Sequence, residues 1–192
     1  MNNKYERVAL QYPSELAMFI RLLKQERVKS YLEIGSKYGG SLWRIALELS
    51  PGSRIVAVDL PHGDQSFKES QPHLEDCVKR LRERKYDAHL FLGDSTDPEI
   101  VKRVKELGPY DACLIDANHT EPYVRADWAS YGPLAKIVAF HDIGWIAEGR
   151  TTKKYPIHVP IVWAELKKQF RHVEIKHDPT KRDNGFGVLW RC

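Results

Sequence analysis

The sequence predicts an α/β fold: a single doubly wound sheet of seven strands, five parallel, then a C-terminal hairpin whose seventh strand runs antiparallel. Three observations predict it. Short apolar runs alternate with amphipathic segments from Ser14 to Phe140, the pattern of parallel strands joined by crossover helices. The runs Ile55 to Val58, Leu90 to Leu92 and Ala112 to Ile115 are continuously apolar, as strands buried on both faces require. After Phe140 the rhythm breaks. The strand-like segments His172–Lys176 and Gly187–Arg191 are joined by a polar stretch, His177 to Asn184, too short for a crossover helix, so they pair as a hairpin.

Each element has its own local reason. Ser14 to Gln25 is helical: Ser14 is a cap candidate after Pro13, and Leu16, Phe19, Ile20 and Leu23 fall on one face. Ser30–Ile34 is the first strand. Helix Leu42–Leu49 follows a glycine-bearing turn, with Ser41 as its cap candidate. Strand Arg54–Val58 leads through a loop to helix Pro72–Lys85, striped by Leu74, Cys77, Val78 and Leu81. Strand Ala88–Leu92 precedes helix Pro98–Leu107, where Asp97 caps and Pro98 takes the first helical position. Strand Tyr110–Ile115 precedes helix Glu121–Tyr131, and strand Lys136–Phe140 closes the alternation. Pro160 to Phe170 is the last helix, with Val162, Trp163, Leu166 and Phe170 on one face.

At 192 residues the chain fits a single domain over 1–192, with an N-terminal helical segment over 1–28. Its 42% apolar and 29% charged residues describe a globular protein. No apolar run is long enough to span a bilayer, and residues 1–7 lack a signal-peptide core, so a cytoplasmic location without a membrane partner is expected. Cys77, Cys113 and Cys192 show neither zinc spacing nor a disulfide framework, as suits a reducing compartment. The net charge of +4 is interspersed, and its densest basic run, Lys79 to Lys85, reads as a solvated helix face and not a nucleic-acid footprint. Trp128, Trp145, Trp163 and Trp190 could line a substrate pocket, but tryptophans so placed are more often core; Trp145, in a loop, is the exception.

The chemistry starts in the stretch from Tyr31 to Ser41, where a strand meets a glycine turn (Gly35, Ser36, Gly39, Gly40) and then a helix. Glycines let the backbone approach a ligand, and a helix's first turn points free N–H groups at it. The spacing E-x-G-x-x-x-G, with Glu33 ahead of Gly35, differs from the G-x-G-x-x-G of a pyrophosphate cradle. It points to S-adenosylmethionine, which has no pyrophosphate and carries an ammonium that a carboxylate favours.

Ligands of open α/β sheets bind beyond the carboxyl ends of the strands. All five parallel strands end near an acid: Glu33, Asp59, Asp94, Asp116 and Asp142. Turn preference for Asp accounts for part of this coincidence but not for all of it. Asp59, followed by Leu60, stands where an acid accepts both ribose hydroxyls of an adenosine. Gly93, Asp94 and Ser95 suit an adenine edge, with Asp94 accepting from the exocyclic amine. Asp116, His119, His141 and Asp142 follow successive strands and face one cleft. Asp116, Asp142 and His141 are ligands for Mg²⁺ or another divalent cation. Alternatively His119 or His141 is a general base working beside Asp116 without metal, or the four are polar loop residues satisfied by backbone groups.

These stretches resemble the class I S-adenosylmethionine-dependent methyltransferases, and among them small bacterial and phage O-methyltransferases of the sugar, natural-product and cephalosporin-hydroxylase-like group. The resemblance runs from about Gln11 to the C-terminus. It is carried by Leu32 to Ser36 with Gly39 to Ser41, Val58-Asp59, Gly93 to Ser95, Leu114 to Asp116 with Asn118 to Thr120, Phe140 to Ile143 and Val159 to Leu166. It implies a Rossmann-like fold in which Glu33, Gly35, Asp59 and Asp94 hold the cofactor, while Asp116, His141 and Asp142 lie where relatives bind a divalent ion. His119 falls where relatives carry a histidine. Two departures stand out. The turn Gly132 to Lys136 lacks the relatives' glycine pair, and His141-Asp142 replaces the Asp-Asn of metal-dependent, catechol-type relatives.

The expected reaction is methyl transfer to a hydroxyl of a small-molecule acceptor, with Gly144 to His158 as an acceptor loop. Rivals are a nicotinamide-dependent oxidoreductase, which the turn spacing and the tail oppose, and a cofactor-binding protein without turnover. A nucleic-acid methyltransferase is opposed by dispersed charge and the missing N/D-P-P-Y motif. The acceptor, the metal and any homo-oligomer are left open.

Overall fold

A helix separates each of the first five strands from the next, and that forces them parallel. The structure, a computed structural model, describes residues 9–61, 70–144, 156–178 and 184–191. The strands are β1 (Ser30–Ile34), β2 (Arg54–Asp59), β3 (Asp87–Leu92), β4 (Tyr110–Ile115), β5 (Ala135–His141), β6 (Arg171–Ile175) and β7 (Phe186–Trp190). The helices are α1 (Pro13–Gln25), α2 (Gly40–Glu48), α3 (Ser70–Glu83), α4 (Pro98–Glu106), α5 (Glu121–Tyr131) and α6 (Val159–Leu166). Among the described residues the strands form one sheet in the order β3-β2-β1-β4-β5-β7-β6. β1 lies between β2 and β4, parallel to both. β7 inserts antiparallel between β5 and β6. The expected seven strands and C-terminal hairpin are therefore present, and the switch point falls between β1 and β4.

Strand residues alternate between two cores. Tyr31, Ile55, Ala57, Ala112, Leu114, Ile137 and Ala139 pack toward α1, α2 and α3. Leu32, Ile34, Val56, Val58, Cys113, Ile115, Val138 and Phe140 pack toward α4, α5 and α6. This period of two, apolar on both sides, is why the strands read as continuous hydrophobic runs. Trp163 belongs to the second core, and its indole donates to Glu174 at 2.7 Å. Trp128 packs on Phe140 and Phe170, and the Trp190 indole donates to Glu26. None of these three lines the cleft described below. Trp145, most of the expected acceptor loop, and Cys192 lie outside the described residues. No helix among the described residues is long and apolar enough to cross a membrane.

Several boundaries differ from expectation for local reasons. α2 starts at Gly40, not Leu42, because Gly39 takes a left-handed φ of 77° and ends the turn there. Ser41 does not cap; its hydroxyl donates to Glu33. Tyr12, not Ser14, holds the cap position of α1, and the Ser14 hydroxyl pairs with His177 Nδ1 at 2.7 Å. α6 stops at Leu166, before Phe170. Asp97 caps α4 as expected, accepting from the Glu99 N–H at 2.8 Å.

α1 is tied to the C-terminal hairpin by Glu15, whose side chain the fold buries almost completely. Its carboxylate accepts the N–H of His177 at 2.7 Å and that of Gly185 at 3.3 Å, one from each side of the hairpin connection. Glu15→Ala strands the buried Gly185 N–H and the part-buried His177 N–H and is expected to cost roughly 2 kcal/mol in urea unfolding, with Glu15→Gln recovering part of it. A loss below about 0.5 kcal/mol, the size of an ordinary surface substitution, would show that the hairpin is held elsewhere.

Candidate functional site

The turn after β1 is built around Gly35. Its N–H donates to Val58 O at 2.8 Å, and its φ is +87°. A Cβ there would lie 2.3 Å from the carbonyl oxygen of Asp116 and 2.6 Å from Ala117 Cα. Only glycine lets the β1 turn lie this close to the tip of β4. Ser36 follows, buried, its hydroxyl without a hydrogen-bond partner. The Lys37 N–H donates to Asp59 Oδ2, and the Leu60 N–H donates to Asp59 Oδ1 at 2.7 Å. Burial raises the Asp59 pKa above the ordinary carboxylate range, against the backbone N–H groups of Lys37, Leu60 and Ser36, which lower it.

Glu33 is fully buried beneath this turn. Tyr31 donates to it at 2.7 Å and Ser41 at 2.9 Å. Burial pushes its pKa up to about 7 despite those bonds. Period-two alternation puts Glu33 on the Tyr31 side of β1, under α2, so it is absent from the cleft wall. Gly39 is absent from that wall as well; a Cβ on it would meet Cys77 at 3.0 Å. The structure thus separates these two from the other expected cofactor residues and makes them supports of the turn.

The remaining ones converge. A cleft of about 630 Å³ runs over the strand tips, lined by Gly35, Ser36, Ser41, Asp59, Leu60, Gly93, Asp94, Ser95 and Asp116. Asp94 Oδ1 accepts the N–H and hydroxyl of Thr96 at 2.8 and 2.7 Å, which orders the loop and leaves Oδ2 for the cleft. The Gly93 N–H donates to Asp59 O at 2.9 Å, joining the two tips. Behind Ser95 lies Asp127 of α5, fully buried, with the Ser95 side chain beside its carboxylate.

At the other end of the cleft two carboxylates and two imidazoles form one cluster. Asp116 Oδ1 lies 3.2 Å from His119 Nε2 and 3.4 Å from His141 Nδ1. Asp142 lies 3.2 Å from His141 Nδ1 and 3.5 Å from His119 Nδ1. Asp142 takes a left-handed φ of 62°, a strained conformation for a residue with a side chain. Burial would raise the Asp116 pKa, but the two imidazoles hold it well below the usual range. Burial lowers the His141 pKa, yet Asp116 and Asp142 outweigh it and hold it at about 9. His119 is raised by the same carboxylates against its burial. The His141 ring is therefore protonated at neutral pH, and the two carboxylates favour the protonated form of His119 as well.

Metal-type donor atoms of Asp116, His119 and Asp142 lie within 4.8 Å of one another. The expected set named His141 where the geometry brings His119. The reason is packing: the His141 ring lies against Phe186 and only 7% of its side chain is exposed, against 28% for His119. His141 acts as a buried counter-ion to both acids. Sequence reasoning also missed Gln11, whose amide donates to Asp116 Oδ2 at 2.9 Å from 105 residues away. It missed His158, whose N–H donates to His119 O at 2.7 Å. Neither sits in a recognisable motif; only the fold brings them here.

Comparisons with known proteins agree with this fold. A family model described as a methyltransferase domain matches residues 32–143. Ribosomal RNA large subunit methyltransferase E of Treponema denticola is 35% identical over 88 residues, covering 45% of this chain and 35% of that protein. The chain thus matches about a third of that relative's length. A structure described as a putative caffeoyl-CoA O-methyltransferase from Staphylococcus aureus superposes with a TM-score of 0.71 at 16% identity, covering 98% of this chain and 93% of the other. The O-methyltransferase TomG from Streptomyces achromogenes, in complex with its methyl donor, superposes with a TM-score of 0.70 at 16% identity, covering 99% and 90%.

Proposed function

Because this chain belongs to the methyltransferase-domain family, we propose that it uses S-adenosylmethionine to methylate a hydroxyl of a small-molecule acceptor. The observation that carries the reading is that Asp59 and Asp94, on adjacent strand tips, line one cleft with the Gly35 turn. An adenosine laid along these tips meets Asp59 with its ribose and Asp94 with its base. Asp59 and Asp94 face a cleft in which Lys37 is the lone lysine or arginine among the described residues, while Asp116 and Asp142 are paired with His141 and His119. Such a wall repels a pyrophosphate and attracts a sulfonium and an ammonium, which disfavours a nicotinamide dinucleotide. The unpartnered Ser36 hydroxyl gives the donor's polar end a further contact.

The bound donor supplies a methyl group already activated by its sulfonium. What is left for the protein is positioning and proton handling. The tips of β4 and β5 hold the acceptor oxygen near His119, the more exposed of the two imidazoles. His119 in its neutral form takes the acceptor's proton, and Asp116 and Asp142 stabilise the resulting imidazolium. Asp116, His119 and Asp142 would also hold a divalent ion, whose Lewis acidity lowers the pKa of an acceptor hydroxyl. Holding it requires His119 to release its ring proton, so protons and metal compete for this set.

The likeness to an RNA methyltransferase favours a second reading, an RNA acceptor. Among the described residues that line the cleft lysine and arginine are scarce, which speaks for the small acceptor. Calorimetric titration with S-adenosylhomocysteine tests the main reading. Asp59→Ala is expected to weaken binding by about tenfold or more, the loss of hydrogen bonds to a charged acceptor. Asp142→Ala should leave binding within about twofold while cutting turnover of hydroxylated acceptors by roughly 100-fold, the scale of a general base that has lost its supporting carboxylate. Wild-type protein that gives no binding heat would sink the proposal.

A further inference from the structure

We infer that Gln11 reads the ammonium of the methyl donor's amino-acid end, as a positioning residue delivered by the strap before α1. The inference rests on the methyl-donor reading above. Gln11 lines the cleft yet is only 8% exposed. The strap is held at its far side, where Tyr12 stacks on His177 with ring centroids 4.9 Å apart and its carbonyl accepts the Leu16 N–H. The Gln11 amide is oriented by its neighbour. Only its N–H can donate to Asp116 Oδ2, and it does so at 2.9 Å, which leaves the carbonyl oxygen as the other arm. That oxygen, Oε1, is buried without a partner. A buried acceptor so left loses its hydration and gains nothing in return, and native interiors seldom tolerate it.

The missing partner must be a donor, because a carbonyl oxygen only accepts. Charge narrows it further. Asp116 lies beside the amide, so the local potential favours a cation over a neutral hydroxyl. Position narrows it again. With β3-β2-β1-β4 as the strand order, a ligand whose base meets β3 and whose sugar meets β2 carries its remaining end over β1 and β4. Gln11 sits at the β4 tip through Asp116. On the opposite side of Asp116, Oδ1 is already committed to the two imidazoles, toward the acceptor. An ammonium arriving from the β1 side meets the Gln11 carbonyl and Asp116 Oδ2 together, and the neighbouring Ser36 hydroxyl is free to donate to the adjoining carboxylate.

Two ligands test this by calorimetry on the full chain. S-adenosylhomocysteine carries the amino-acid end; 5′-methylthioadenosine keeps the nucleoside and thioether and lacks it. Gln11→Met preserves length and removes the acceptor. It is expected to weaken S-adenosylhomocysteine by about tenfold or more, the loss for one charge-assisted hydrogen bond, and to leave 5′-methylthioadenosine unchanged. Should that variant fold poorly, Gln11→Asn, too short to span the gap, should give the same selective loss. Equal weakening of both ligands overturns the inference in favour of general strap packing. Unchanged affinity for both, with a raised KM for the acceptor, overturns it in favour of acceptor reading. A wild-type protein that binds neither ligand overturns the methyl-donor reading itself, a result distinct from the other two.

Discussion

Gly35→Ala is expected to destabilise the protein by more than about 3 kcal/mol and to abolish S-adenosylhomocysteine binding. Two costs add. A residue with a side chain at φ +87° is strained by roughly 1 kcal/mol or more. The new methyl would also lie 2.3 Å from the Asp116 carbonyl oxygen and 2.6 Å from Ala117 Cα, both backbone. These atoms cannot rotate aside, and the Asp116 N–H is bonded to Ile34 O at 2.8 Å, which locks the two strand tips together. Relief therefore requires separating β1 from β4, and that opens the cleft floor. Gly52→Ala is the internal control, since Gly52 has the same φ of +87° but nothing within 4 Å of its would-be methyl. In urea unfolding Gly52→Ala should show only the backbone strain. Equal losses for the two variants would remove crowding from the explanation.

Asp127→Asn is expected to stabilise the protein at pH 8 and to change little near pH 4. Burial, opposed by Ser95 and reinforced by Asp94, raises the Asp127 pKa from 3.8 to about 7. Cys113 and Tyr131 also face it, and both sense its charge. The sign follows from linkage. Between pH 4 and 7 the folded state keeps a proton that the unfolded state has lost, so stability falls as pH rises across that window. Integrated at about 1.4 kcal/mol per pH unit, the loss approaches 4 kcal/mol as an upper bound. Asparagine retains the shape and cannot ionise, so the gap between variant and wild type should open above pH 4 and level off near pH 7. Glu33, also raised to about 7, imposes the same slope on both proteins and cancels in the difference. Thermal melts from pH 4 to 8 measure it. A variant less stable than wild type at pH 8 would mean that the carboxylate is ionised and well solvated.

Much of the candidate site was legible because strand ends, glycines and acids leave local signatures. Asp59 and Asp116 sit directly after an apolar run, Asp94 and Asp142 one residue further on, and in a parallel sheet all such positions arrive at one rim. What sequence could not place was depth and direction. Glu33 reads as a cofactor acid, yet its position one residue before the end of β1 turns it under α2. His141 and His119 look equivalent in the sequence and both line the cleft, but the Phe186 ring of β7 packs on His141 and leaves His119 the more exposed. β7 is the last strand in the chain and its partner β5 precedes it by some fifty residues, so no local pattern reports that contact.

By itself the sequence determined the layering, the strand direction and the rim on which chemistry gathers, because hydrophobic periodicity and connection length act through neighbours in the chain. Tertiary structure alone decided which imidazole is buried, which acids face the cleft and that Gln11 reaches Asp116. The last of these needs atoms 105 residues apart to meet at 2.9 Å, and all three depend on the dielectric that burial imposes once elements pack.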